Sequence, residues 1–205
     1  MSREGITDRL RRDVTIIGKT LLPDISPVLE ATHEEKIRIR AYVVLAHSAI
    51  EEFLEELIDN AVENVLACAD SVSVAAISLS VAYADIVIGQ HGSKTLTARD
   101  AHGKLLGLFR VKAIKTNNGI RRNNIKSLCR PLGIDVSNLE ATLDAALTTL
   151  DTLGAKRGAA AHTLRQATEE IVVPSQAIEW VDNALNALDI LGAYLMEEIS
   201  RRRFD

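Results

Sequence analysis

Aromatic residues make up only 3% of the 205-residue chain, namely three Phe, three Tyr and one Trp. A surface that stacks several unpaired bases on rings therefore has little to be built from. Cysteine is scarcer still. Cys68 and Cys129 lie far apart and match neither a zinc nor a redox spacing, so they read as ordinary reduced thiols, as expected in a cytoplasm. Long apolar runs are also missing. The first residues carry no secretory-type apolar segment, and no later run approaches the ~18 residues of a membrane span. The nearest, 71–84, is uncharged but holds four serines and is followed by Asp85. It reads as buried helix, with β-branched Val72, Val74, Ile77 and Val81 leaving strand character open.

What is abundant is Ala, Leu, Ile and Val within a 47% apolar share. Such a composition favours helices packed through small and branched side chains. Pro23 ends a helix over 7–21, and 24–27 is a linker. Thr32 and Glu35 have the spacing of a capping box, opening a helix of about nine turns. Along it Ile39, Val43, Ala46, Ile50, Phe53, Leu54, Leu57, Ile58, Ala61 and Val65 recur at helical spacing, opposite an acidic face. Further helices are expected over 97–113, with Leu105, Leu106, Leu108, Phe109 and Val111 apolar, and over 120–129, stopped by Pro131 and Gly133. Ser137 and Glu140 form a second capping-box pattern, and Gly154 marks the end or a kink of that helix. The last helix spans 176–201. The whole reads as one all-α bundle of about six to eight helices.

A net charge of −4 hides a strong asymmetry. Between 101 and 134 stand eight basic residues, Lys104, Arg110, Lys112, Lys115, Arg121, Arg122, Lys126 and Arg130, and no acid, so this segment is +8 and the remainder −12. Clustered cations gain counterion-release energy on a polyanion, which makes these eight the candidate RNA-binding residues. A solvated basic surface is the bland alternative, and the acidity elsewhere argues against indiscriminate nucleic-acid binding.

Lys156-Arg157-Gly158-Ala159-Ala160-Ala161-His162-Thr163 places an arginine and a histidine five positions apart across tiny residues. Imidazole can pass protons near neutral pH, and a guanidinium fork matches two phosphate oxygens, so the pair suits metal-free cleavage of RNA. On an unbroken helix, however, five residues leave the two ~140° apart. Convergence on one site then needs a break, which Gly158 could supply, or two copies sharing a cleft. Spacing alone is weak: Arg40 and His47, seven positions apart, form a second Arg-to-His match, read as a surface pair on one helix face.

The segment 150–163, a leucine-rich helix leading into Arg157 and His162, resembles the signature of HEPN domains. Residues 40–54, from Arg40-Ala41-Tyr42 to Phe53-Leu54, and the runs 118–125 and 131–134 resemble the RiboL-PSP-type HEPN subfamily, so the likeness covers about 32–200. It implies a single HEPN-like domain over 1–205, with 1–27 an N-terminal helix and linker and 32–203 the core bundle. It further implies a homodimer whose two Arg/His motifs meet in one cleft. The commonest activity of the family is metal-independent endoribonuclease, used in phage defence or toxin–antitoxin systems. By position Arg157 and His162 are the catalytic candidates; His47, Glu51 and Glu52 are accessory candidates, an acid of the first bundle helix orienting the motif in related proteins. No cofactor, metal or membrane is expected, while RNA and an antitoxin or defence-system partner are. Two departures stand out. The residue after the arginine, usually polar and often Asn, is Gly158, and Leu164 occupies the place of a tyrosine that is nucleotidylated in some relatives. The alternative is a non-catalytic HEPN bundle that binds RNA, nucleotide or a protein partner.

Overall fold

The computed structural model describes residues 7–24, 31–67, 77, 79–83, 98–162 and 173–201, and every regular element among them is helical. In chain order these are α1 (Asp8–Leu21), α2 (His33–Ala67), a short helical stretch at 79–83, and α3 (Ala98–Phe109), which runs into a π-helical turn (Arg110–Ile114). Then follow α4 (Arg122–Cys129), closed by a 3-10 turn (Arg130–Leu132), α5 (Val136–His162) and α6 (Pro174–Arg201). The chain is all-α, as its composition implies. Of the segment 71–84 only 77 and 79–83 are described; they are helical as expected, but only Leu79 and Tyr83 are buried, while Ile77, Ser80, Val81 and Ala82 are exposed. The expected loop at 89–93 lies outside the described residues, as does Cys68.

Local chemistry accounts for most boundaries. Thr32 N–H donates to Glu35 Oε2 at 2.7 Å and Glu35 N–H to Thr32 Oγ1 at 3.3 Å, the reciprocal capping box that opens α2. These bonds hold the Glu35 carboxyl below its usual range. Gly133 ends the 3-10 turn with φ 73, a left-handed conformation that a Cβ disfavours. Two expected boundaries differ. The cap of α5 is Asp135, whose Oδ1 accepts from Ser137 N–H at 2.9 Å and Asn138 N–H at 3.3 Å. Glu140 pairs instead with Lys126 Nζ at 3.0 Å, so Ser137 and Glu140 form no box. Nor does α5 stop at Gly154: it continues through Gly154 and Gly158 to His162, and its non-helical residue is Leu143.

The chain divides into two compact units. The first gathers the described parts of Met1–Leu54, Gly119–Arg122 and Leu143–Leu191. Its core draws Ile39, Val43, Ala46, Ile50 and Leu54 from α2, Leu147, Leu150 and Leu153 from α5, and Val181, Leu185 and Leu188 from α6. Removing each of these side chains but the smaller Ala46 from water contributes on the order of 2 kcal/mol. A polar clamp holds α1 to α6: Thr7 Oγ1 and Arg11 Nη2 each donate to the Asp189 carboxylate at 2.7 Å.

The second unit gathers the described parts of Glu55–Asn118, Asn123–Thr142 and Gly192–Asp205. Ile58, Leu79, Phe109, Ile125, Leu128, Cys129 and Leu139 are buried there. The π turn is closed by Lys115 N–H donating to Arg110 O at 2.8 Å, five residues back. That extra residue in the turn shifts the helical register, and Val111, expected on the apolar side, is half exposed.

Candidate functional site

In the first unit the chemistry-bearing side chains meet around the C-terminal half of α5. Gly154, Arg157 and Gly158 stand at i, i+3 and i+4 and share one face of that helix. Across the face lies the side chain of Arg121, whose Nη2 donates to Gly154 O at 3.0 Å. The seat requires glycine at 154 and tolerates a Cβ at 158. A Cβ at position 154 would meet Arg121 Cγ at 2.7 Å and Nε at 3.0 Å, and one at 158 would stand 3.6 Å from Nη2. Neighbouring Arg122 fixes the approach, its N–H donating to Asp151 Oδ1 at 2.7 Å.

His47 of α2 completes the group. Its side chain is buried, 1% exposed, and its Nδ1 finds no hydrogen-bond partner among the described residues, Glu51 Oε2 lying 3.7 Å away. Burial pushes the imidazole down to about 4, and the charges of Arg157 and then Arg121 push the same way. At neutral pH it is an uncharged ring facing two cations. Arg157 Nε is likewise buried without a partner. The histidine read as half of a surface pair with Arg40 is thus a core residue, and the arginines that act on it are Arg157 and Arg121.

The other candidates are distributed as follows. Glu51 is half-buried beside His47, and Glu52 is exposed. His162 is the last residue of α5, and its side chain lies outside the described residues. Because α5 is continuous between them, the backbone positions 157 and 162 stand ~140° apart on the helix. Gly158 supplies no break; it is part of the seat of Arg121.

The eight basic residues do not form one free patch. Arg121 and Arg122 belong to the first unit, and Lys104, Arg110, Lys112, Lys115, Lys126 and Arg130 to the second. Arg110 donates to both Asp59 oxygens, at 2.8 and 2.9 Å, and to Glu63 at 3.0 Å, carboxylates that raise its pKa. Arg122 pairs with Asp144 at 2.8 Å and Lys126 with Glu140 at 3.0 Å. Lys112, Lys115 and Arg130 are exposed. Three of these eight cations, Arg110, Arg122 and Lys126, are therefore met by acids that are distant in sequence.

A cleft of about 540 Å³ also opens in the first unit, lined from α1, α2 and α6 by residues including Arg11, Lys19, Tyr42, Ile178 and Asp182. Burial, and Asp182 after it, push the Tyr42 phenol up to about 12. None of the Arg157 group lines this cleft.

No helix among the described residues is long and apolar enough to cross a membrane. Comparison with protein families matches the RiboL-PSP-HEPN model over residues 8–197. Among curated proteins and among solved structures nothing matches.

Proposed function

The chain belongs to the RiboL-PSP-HEPN family, a HEPN nuclease-like domain, and from that premise we propose that it is a metal-independent endoribonuclease. The observation that carries the reading is Arg157, a half-buried guanidinium on the signature helix whose Nε has no partner among the described residues. A cation so held suits a phosphate whose negative charge grows during reaction. In the proposed step a base takes the proton of the RNA 2′-hydroxyl, and the O2′–P bond forms as the P–O5′ bond breaks. The 5′-oxygen leaves with a proton, and a 2′,3′-cyclic phosphate remains. His162 serves as the base or acid. His47, with its pKa near 4, stays neutral and does not carry the catalytic proton. Glu51 is assigned the orienting role.

The ~140° between positions 157 and 162 favours a homodimer in which Arg157 of one copy and His162 of the other line a shared cleft. Such an enzyme fits phage defence or a toxin–antitoxin pair, restrained by a protein partner. Gly158, where active members usually carry a polar residue, favours the second reading, a bundle that binds RNA, nucleotide or protein without cutting.

Incubation with single-stranded RNA in EDTA tests the proposal. Wild type is expected to leave 2′,3′-cyclic phosphate ends, and Arg157→Ala and His162→Ala to lose activity by about 10²-fold or more. Mixing the two inactive variants is expected to restore about a quarter of wild-type activity, since half the mixed dimers are hybrids with one intact site each. RNA left intact by wild type, or degraded equally by all three proteins, refutes the enzyme. No recovery on mixing refutes the shared cleft.

A further inference from the structure

Arg121 was grouped by sequence with a basic surface segment, yet the fold places it against α5, 33 residues further along the chain. Its aliphatic stem crosses Gly154 and its Nη2 stands over Gly158, on the face that also carries Arg157. Two guanidiniums thus share one helix face. Neither forms an ion pair with a carboxylate among the described residues, unlike Arg110, Arg122 and Lys126. Beside them two buried nitrogens, Arg157 Nε and His47 Nδ1, have no hydrogen-bond partner there. Like charges gathered next to unmet buried polar groups cost stability unless a ligand satisfies them.

We propose that Arg121, seated on the Gly154 and Gly158 groove, forms with Arg157 and His47 a preformed niche for a phosphate group. The niche rests on the reading of Arg157 as a phosphate-binding residue and adds a second guanidinium to it. Planar forks from two directions fit the oxygens of one phosphate better than those of a carboxylate, which has only two. His47 contributes a neutral ring, held uncharged by burial and by the two cations. The group supplied is an RNA backbone phosphate or the phosphate of a free nucleotide, and both sources share this chemistry.

Gly154→Ala is the discriminating variant. It removes no charge and strengthens the helix by propensity, but its Cβ displaces Arg121. Gly107→Ala is the control, because nothing lies within 4 Å of a Cβ there. Wild type, Arg121→Ala, Arg121→Lys, Gly154→Ala and Gly107→Ala would be titrated with a non-cleavable 2′-O-methyl oligonucleotide and, separately, with a nucleoside monophosphate. Helicity is followed by circular dichroism. Arg121→Ala and Gly154→Ala are expected to weaken binding of at least one probe by about 10-fold, with Arg121→Lys between and Gly107→Ala unchanged. The probe that responds identifies the source.

Folded Arg121→Ala and Gly154→Ala proteins that bind both probes like wild type overturn the niche, as does a wild type that binds neither. Binding that depends on Arg121 and Gly154 without RNA cleavage supports the niche and refutes the ribonuclease. Cleavage and binding that are equal in wild type and both variants leave the ribonuclease standing and refute the niche.

Discussion

Stability should depend on pH through His47 more than through any other histidine that the structure describes. Its ring is 1% exposed and its pKa falls from 6.5 to about 4, through burial first and then Arg157 and Arg121. The sign follows from proton binding. Between about pH 6.5 and 4 the unfolded chain holds a proton on this ring and the folded chain does not, so acid favours the unfolded state. Folding stability is fully present above about pH 6.5, falls as the pH drops, and levels off below about 4. At about pH 4.5 the loss from this ring is about 2.5 kcal/mol, a large part of the 5–15 kcal/mol typical of a domain. Urea unfolding of wild type and His47→Gln at about pH 7 and 4.5 measures it. Carboxylates titrate in both proteins, so the difference between the two pH responses isolates His47; the variant should lose about 2.5 kcal/mol less. Equal losses would refute the reasoning. Proton NMR supplies a second reading, since Arg157→Gln removes one of the two cations and should raise the His47 pKa while burial keeps it below 6.5. An unchanged pKa would separate Arg157 from His47.

Other outcomes follow from local geometry. Asp135→Ala should cost about 1 kcal/mol through the lost cap of α5, whereas Ser137→Ala should cost almost nothing, and chemical denaturation separates the two. Burial pushes the Cys129 thiol up to about 12, so in the native protein it should resist a thiol-specific disulfide reagent at about pH 8 and react only on unfolding. Gly133→Ala must place a Cβ at φ 73 and should lower stability by about 1 kcal/mol, seen as a fall in the urea midpoint with an unchanged slope. Arg110→Ala breaks pairs with Asp59 and Glu63 that are partly open to solvent; it should cost no more than about 1 kcal/mol, a cost that shrinks with added salt.

The sequence by itself determined what is local. Thr32 and Glu35 are three residues apart, one helical turn, and no distant group among the described residues competes for them, so the start of α2 was legible. The same pattern at Ser137 and Glu140 misled, because Asp135 reaches the free N–H groups and Lys126 draws Glu140 away. Periodicity gave the apolar stripe of α2, of which Ile39, Val43, Ala46, Ile50, Leu54, Ile58 and Ala61 are buried. It also made the all-α class readable, since a 3.6-residue repeat is written in consecutive residues, while the family resemblance rested on the motif residues of 40–54, 118–125, 131–134 and 150–163.

Tertiary structure decided what depends on residues that sequence keeps apart. Gly154 and Gly158 look like helix breakers in isolation, yet α5 runs through both; Gly154 provides room for the side chain of Arg121, and Gly158 lies in contact range of its Nη2. His47 looked like half of a surface pair, but packing buries it and sets it beside Arg157 and Arg121. The +8 of the basic segment could be counted, but not the pairing of Arg110, Arg122 and Lys126 with Asp59, Glu63, Asp144 and Glu140. Spacing fixes which residues share a helix face; only packing fixes what that face meets, because charge and burial are set by neighbours in space rather than along the chain.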